Sequence, residues 1–350
     1  MGGPLGGVTV LDLSQVGPGA RCTAALRDLG AAVVKVAPPA GAGRIDPPFF
    51  AYGAGRGMRT REVNLKEVEG RAELLRLVAD ADVVVESYRP GVADRLGVGY
   101  EACREVNPRI VYAAITGYGQ DGPSAQLAGH DLNYLAVGGF LGTQGRREDG
   151  GPAIPGATLA DGAGGGMHAA LSIAAALFDR ERTGEGRYLD VSTAEGVLHL
   201  MALFVDEHLA TGVETGPGTS LLTGRYACYD VYRCADDRWI SVGAIEGKFF
   251  ANLCRALGFE DLAAAQYDDA RQDELRARLR EAFASRDRDA WVAELAPIDT
   301  CVAPVLAIAE VSADPQFLAR GAFREAEHPE HGRFRQVAAV LAGADREDPA

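Results

Sequence analysis

Apolar residues in the first third of the chain fall into short runs separated by amphipathic stretches. Val8-Thr9-Val10-Leu11-Asp12-Leu13 is mostly apolar and rich in β-branched residues, the pattern of a strand covered on both faces. Gly17-Pro18-Gly19 interrupts it. Residues 20–29 then carry helix formers at helical spacing, with Gly30 placed to end the helix. Residues 31–36 form the next apolar run, giving a βαβ unit with parallel strands and a right-handed crossover. The pattern repeats. A helix is expected over 66–79, with Leu65, Leu74, Leu75 and Leu77 toward the core, and strands over 82–86 and 110–115.

This alternation predicts an α/β fold with an open, doubly wound parallel sheet. Ligands bind beyond the carboxyl ends of the strands in such sheets. That rule puts segments 15–20, 87–91 and 116–122 on the binding side. Farther along, DGAGGGMH (161–168) opens a long apolar helix to about Arg182, followed by a strand over 187–191 and a helix over 195–210. Residues 211–220, rich in Gly, Thr and Pro, read as a linker. Two strand-like runs, 227–234 and 238–243, then make a hairpin, with helices over 248–257 and 273–284.

Composition narrows the partners. A net charge of −14 over 350 residues disfavours nucleic acid and an anionic membrane surface, which select for excess Lys and Arg. No apolar run is long enough to span a bilayer, and the N-terminus lacks a signal-peptide pattern. The six cysteines form no C-x-x-C pair and no zinc pattern, so reduced thiols in the cytoplasm and no metal are expected. The tail from Asp345 is acidic and is expected to fray.

Among the histidines, His130 stands out. In Gly129-His130-Asp131-Leu132-Asn133 it follows a strand and loop and precedes a helix start. The same position suits a titratable group at the binding edge or a histidine that merely caps a loop. Asp161, before the glycine run, suits either a helix cap or a carboxylate where glycine lets a substrate come close. Glu246 ends an apolar strand just before a helix, where a solvated capping carboxylate is the plain alternative. His168, His199 and His208 read as packing or surface residues, and His328 and His331 carry no assigned chemistry. Arg56, Arg59, Lys66 and Arg89 are candidate cations for an anionic ligand.

Several stretches together resemble the family III CoA-transferase and α-methylacyl-CoA racemase superfamily: GPLGGVTVLDLSQVGPGA, VVESYRPGVADRLGVGY, YAAITGYGQDGP, GHDLNYLA, the Asp161 turn and AIEGKFF. They occur in the expected order between Pro4 and Val311. The resemblance implies an intertwined homodimer. Each subunit has a Rossmann-like large domain over 1–210, completed by 320–350, and a small α+β domain over 223–311. Linkers at 211–222 and 312–319 join them. It implies an active site between the large domain of one chain and the small domain of the other.

In the transferases the Asp matched by Asp161 is a nucleophile. In the racemases it moves a proton together with the His matched by His130, with the Glu matched by Glu246 nearby. All three are present, so the resemblance implies racemase chemistry on an acyl-CoA thioester. Transfer, or acyl-CoA binding without turnover, are the alternatives. For the enolate oxygen of that chemistry, a contact from the backbone N–H of Asp131, at the expected helix start, is anticipated. With CoA as the anionic ligand, Arg56, Arg59, Lys66 and Arg89, together with Tyr134, are the expected CoA contacts, and no cofactor is expected beyond the CoA carried by the substrate. Two stretches depart from the racemase pattern. Val36-Ala37-Pro38-Pro39 lacks the Arg that usually helps hold the CoA nucleotide, and Leu222-Thr223-Gly224-Arg225 replaces a usual Asp-Gly-Gly.

Overall fold

A computed structural model describes residues 2–39, 41, 50, 52–328 and 330–345. Residues 346–350 of the acidic tail lie outside that range. The chain divides into two compact units. The first comprises Met1–Phe140, Ile154–Asp206 and Pro315–Ala350, and the second Leu141–Ala153 and Glu207–Asp314.

The first unit is built on six parallel strands: β1 (Thr9–Asp12), β2 (Ala32–Ala37), β3 (Arg59–Glu62), β4 (Val83–Glu86), β5 (Val111–Thr116) and β6 (Arg187–Ser192). Their order is β3-β2-β1-β4-β5-β6, so the sheet grows in opposite directions from β1 and leaves a crevice between β1 and β4. Successive side chains point to opposite faces. Val10, Val83, Val85, Val111 and Ala113 therefore join one buried cluster, and Leu11, Val84, Tyr112 and Ala114 another. Leu74 is fully buried in the second cluster, and Leu65, Leu75 and Leu77 pack against that cluster partly buried.

The helices differ from expectation at the places that matter for the site. Helix α1 spans Gly17–Asp28. The Gly-Pro-Gly read as an interruption instead starts it, with Gly17 at φ 70° and Pro18 in the first turn, where its missing N–H costs nothing. Helices α2 (Val68–Ala79), α3 (Val92–Arg95), α4 (Tyr100–Val106) and α5 (Asp131–Val137) follow.

The helix expected to begin at Asp161 begins as a π-helical segment, Ala160–Met167, and becomes α-helical only in α6 (His168–Thr183). Asp161 thus lies inside this element and caps nothing. Its glycines serve packing. A Cβ on Gly165 would lie 2.5 Å from Pro18 of α1, and one on Gly166 2.6 Å from the Cβ of Arg21. A Cβ on Gly164 would meet the Thr193 carbonyl at 3.0 Å. The helix expected over 195–210 starts earlier, where Ser192 Oγ accepts the Glu195 N–H, and divides at Met201 into α7 (Thr193–Leu200) and α8 (Ala202–Thr211).

Strand β3 went unread because all four of its residues, RTRE, are exposed. An edge strand of this kind has no apolar alternation to detect. The C-terminal hairpin Phe323–His328 and Gly332–Val337 also belongs to the first unit.

The second unit carries the expected hairpin, β7 (Tyr229–Arg233) with β8 (Trp239–Gly243), extended by β9 (Val302–Pro304) into a three-stranded antiparallel sheet. Helices α9 (Gly247–Ala256), α10 (Gln272–Phe283) and α11 (Arg288–Leu295) help enclose a core that includes Tyr232, Phe250, Phe283 and Trp291. Among the described residues no helix is long and apolar enough to cross a membrane.

Candidate active site

A cavity of about 510 Å³ opens beyond the carboxyl ends of β1, β4 and β5, the crevice where the strand order reverses. Its walls come from the three segments that the α/β pattern placed on the binding side, and also from the loop and helix start at 125–134 and from Asp161.

His130 is the residue before α5, with extended backbone (φ −132°, ψ 176°). Its own N–H donates to Asn133 Oδ1 at 3.0 Å, so Asn133, not the imidazole, secures the helix start. The imidazole makes no hydrogen bond among the described residues and is not a loop cap. Tyr134 sets the loop from behind: its hydroxyl donates to the Gly129 carbonyl at 2.6 Å, and its ring meets Tyr118 edge-on. A Cβ on Gly129 would strike that ring at 2.7 Å. Tyr134 therefore lines the cavity with its hydroxyl already committed, and burial first of all pushes its pKa up to about 12.

Asp161 is joined to this loop through backbone. Its N–H donates to Asp131 Oδ1 at 2.9 Å, which ties the start of α5 to the π-helical segment. Its own carboxylate accepts no hydrogen bond among the described residues and lies against Gly17, where an added Cβ would stand 3.7 Å from Oδ2. Partial burial, then the charge of Asp131, push the Asp161 pKa up to about 6, while Arg21 and His130 pull it down. A carboxyl balanced near neutrality can both take and return a proton.

Of the expected cations, Arg89 alone lines the cavity, exposed on the loop after β4 and without an ion pair among the described residues. Its loop is held by Glu86, 4% exposed, whose Oε2 accepts the Tyr88 N–H at 2.6 Å. Burial above all raises the Glu86 pKa to about 7. Arg56 is spent elsewhere: it pairs with Asp28 at 2.5 Å and donates to the Val337 carbonyl at 2.5 Å. It fastens the C-terminal hairpin rather than lining the cavity. Arg59 sits on the edge strand and Lys66 on the exposed turn before α2, and neither lines the cavity.

Arg21 was not singled out from the sequence. It lies on α1 one turn beyond Gly17, with its guanidinium 3.4 Å from Thr158 Oγ1 and over the Phe50 ring. Its signal was only its spacing from Gly17 and Pro18. Glu246 belongs to the second unit, where it precedes α9 and makes no side-chain cap. The one trio with metal-ligand spacing among the described residues is His328, Glu330 and His331 on the C-terminal hairpin, and none of these lines the cavity.

The family model for CoA-transferase family III matches residues 5–348. The chain is 37% identical to the α-methylacyl-CoA racemase of Homo sapiens over 327 residues, covering 92% of this chain and 83% of the relative. It is 33% identical to the acetyl-CoA:oxalate CoA-transferase of Acetobacter aceti over 335 residues, 91% of this chain and 85% of that one. Among solved structures, a CAIB/BAIF family protein from Brucella suis superposes with a TM-score of 0.79 at 30% identity, covering 94% of this chain and 90% of that chain.

Proposed function

The chain belongs to CoA-transferase family III, a family of enzymes, and on that premise we propose that it is an acyl-CoA racemase or epimerase acting on a 2-methylacyl-CoA-like thioester. The observation that supports this reading is a pair of groups lining one cavity, the His130 imidazole and the Asp161 carboxylate, neither bound to a structural partner.

The hydrogen α to a thioester carbonyl is weakly acidic. Its removal needs a base on one face, and inversion needs an acid on the other. His130 and Asp161 take these roles, exchanging them with the hand of the substrate. One removes the α-proton, the electron pair delocalises onto the thioester oxygen, and the other returns a proton to the opposite face. The Asp131 N–H, at the start of α5, is assigned to the enolate oxygen, where a single donor is worth about 3 kcal/mol. Arg89 is assigned to the CoA phosphates, and Tyr134 acts by holding the His130 loop. Glu246 is assigned to orient His130 or set its protonation. The reaction draws on no cofactor beyond the substrate's CoA. A cytoplasmic homodimer completes the proposal.

The test is incubation with a panel of 2-methylacyl-CoA esters in deuterated water, read by mass spectrometry. Uptake of one deuterium at the α-carbon is expected, and its absence across the panel contradicts the proposal. The open Asp161 carboxylate also favours a second reading, a CoA-transferase in which that group attacks the thioester. This reading predicts a hydroxylamine-sensitive acyl adduct on Asp161 and uptake of CoA by an added carboxylate. Binding with neither exchange nor transfer would indicate an acyl-CoA-binding protein.

A further inference from the structure

We propose that Gln266 is a positioning residue for Glu246, fixing the turn that aims its carboxylate. The inference rests on the assignment of Glu246 above. Glu246 is exposed and has no hydrogen bond to its side chain among the described residues. Its backbone therefore sets where the side chain starts, through the Cα–Cβ direction, and so the region its carboxylate can reach. The backbone just before it is clamped. Gln266, 6% exposed, donates through Nε2 to the carbonyls of Ala244 at 2.9 Å and Ile245 at 2.7 Å, and the Tyr267 hydroxyl donates to the same Ile245 carbonyl. Two consecutive carbonyls held this way fix the peptide planes leading into Glu246.

Gln266 is itself clamped. Gln272 Nε2 donates to the Gln266 carbonyl at 3.2 Å and the Asp268 carbonyl at 2.9 Å, while Gln272 Oε1 accepts the Ala227 N–H at 2.9 Å. Two buried amides in series thus support a turn that presents only an exposed carboxylate. That support has a purpose if the carboxylate must stand in one place.

Cys301 offers a reporter that does not depend on turnover. It is exposed, whereas the other five cysteines are buried. Its carbonyl accepts the Gly243 N–H at 2.9 Å. Desolvation, then the charges of Glu246 and Asp299, raise its thiol above the ordinary range, and Lys248 opposes them.

The experiment measures iodoacetamide alkylation of Cys301 at pH 8 in the full chain. Glu246→Gln removes a nearby negative charge and should speed alkylation about twofold. Gln266→Met, by letting Glu246 leave its place, should do the same. Trp291→Phe, which removes another buried hydrogen bond of the same core, to the Phe283 carbonyl and away from the clamp, should not. In the exchange assay Gln266→Met should lower kcat about tenfold with KM within about twofold. Should Gln266→Met fail to fold, Tyr267→Phe, at an exposed residue, loosens the same carbonyl and should move both readouts less but in the same direction. Unchanged alkylation and kcat in the Gln266 or Tyr267 variant, beside changes in Glu246→Gln, would overturn the inference. Loss of the Glu246→Gln effect on exchange alone would overturn the role of Glu246 and leave the clamp to be decided by Cys301.

Discussion

Two aspartates beside α1 are treated in opposite ways. Asp12, at the end of β1, is fully buried and fully served: Ser14 donates through N–H at 2.8 Å and Oγ at 2.6 Å, Thr23 Oγ1 at 2.8 Å and Lys35 Nζ at 3.0 Å. Asp161, near the first turn of the same helix, receives no donor among the described residues, and Asp131 sits close enough to raise its pKa. A buried charge is tolerable when its lone pairs are satisfied. Where they are left open, the fold bears a cost that chemistry can use. The first carboxylate is fixed by its four donors, and the second keeps its lone pairs open among the described residues.

The sharpest way to break that contrast is to exchange the consequences. Asp161→Asn should lower α-proton exchange about a thousandfold while the protein stays folded. Asp12→Ala should instead cost about 3 kcal/mol of stability in chemical denaturation, because Lys35, Ser14 and Thr23 lose their acceptor. If Asp12→Ala left stability untouched, or Asp161→Asn unfolded the chain, the division of labour would be wrong.

A smaller effect follows from the raised pKa. A carboxyl that binds its proton more tightly when folded adds stability at low pH and loses that contribution as pH rises through about 6. Asp161→Asn removes the burden of the ionised form. It should therefore melt above the parent at pH 8, by about 1 kcal/mol after solvent screening. The gap should close as pH falls from 6 toward 4. A constant gap would mean that Asp161 has an ordinary pKa. Smaller again, Arg21→Gln removes a cation that favours the ionised form, so the acid limb of the exchange profile should move upward by roughly half a pH unit. A downward shift would contradict the electrostatic picture.

The buried half of this architecture was legible because apolar runs declare parallel strands. β1, β2, β4 and β5 were readable this way, and with them the crevice that the cavity occupies, while β6 was readable although four of its six residues are polar and half are exposed. The polar edge strand β3 and the C-terminal hairpin carry no such period and stayed hidden. His130 and Arg89 could be placed at the binding edge because each follows a strand and its loop, whereas Asp161 follows no strand and was marked only by the glycines after it. Arg56 misled, since sequence shows a cation but not the Asp28 that neutralises it. The glycines after Asp161 misled too: they suggested room for a ligand, whereas three of them let the π-helical segment pack against α1 and α7. Tyr134 could be placed on the cavity wall, but its commitment to the Gly129 carbonyl shows only in three dimensions.

The most direct measurement follows each hand of an α-deuterated 2-methylacyl-CoA separately, recording loss of the label to water and configuration of the product. The parent should release deuterium from both enantiomers and form both products. His130→Ala and Asp161→Ala should each stop inversion from either side. Parental rates of inversion in either variant, or a parent that forms an acyl adduct on Asp161 without releasing deuterium, would contradict proton transfer by this pair.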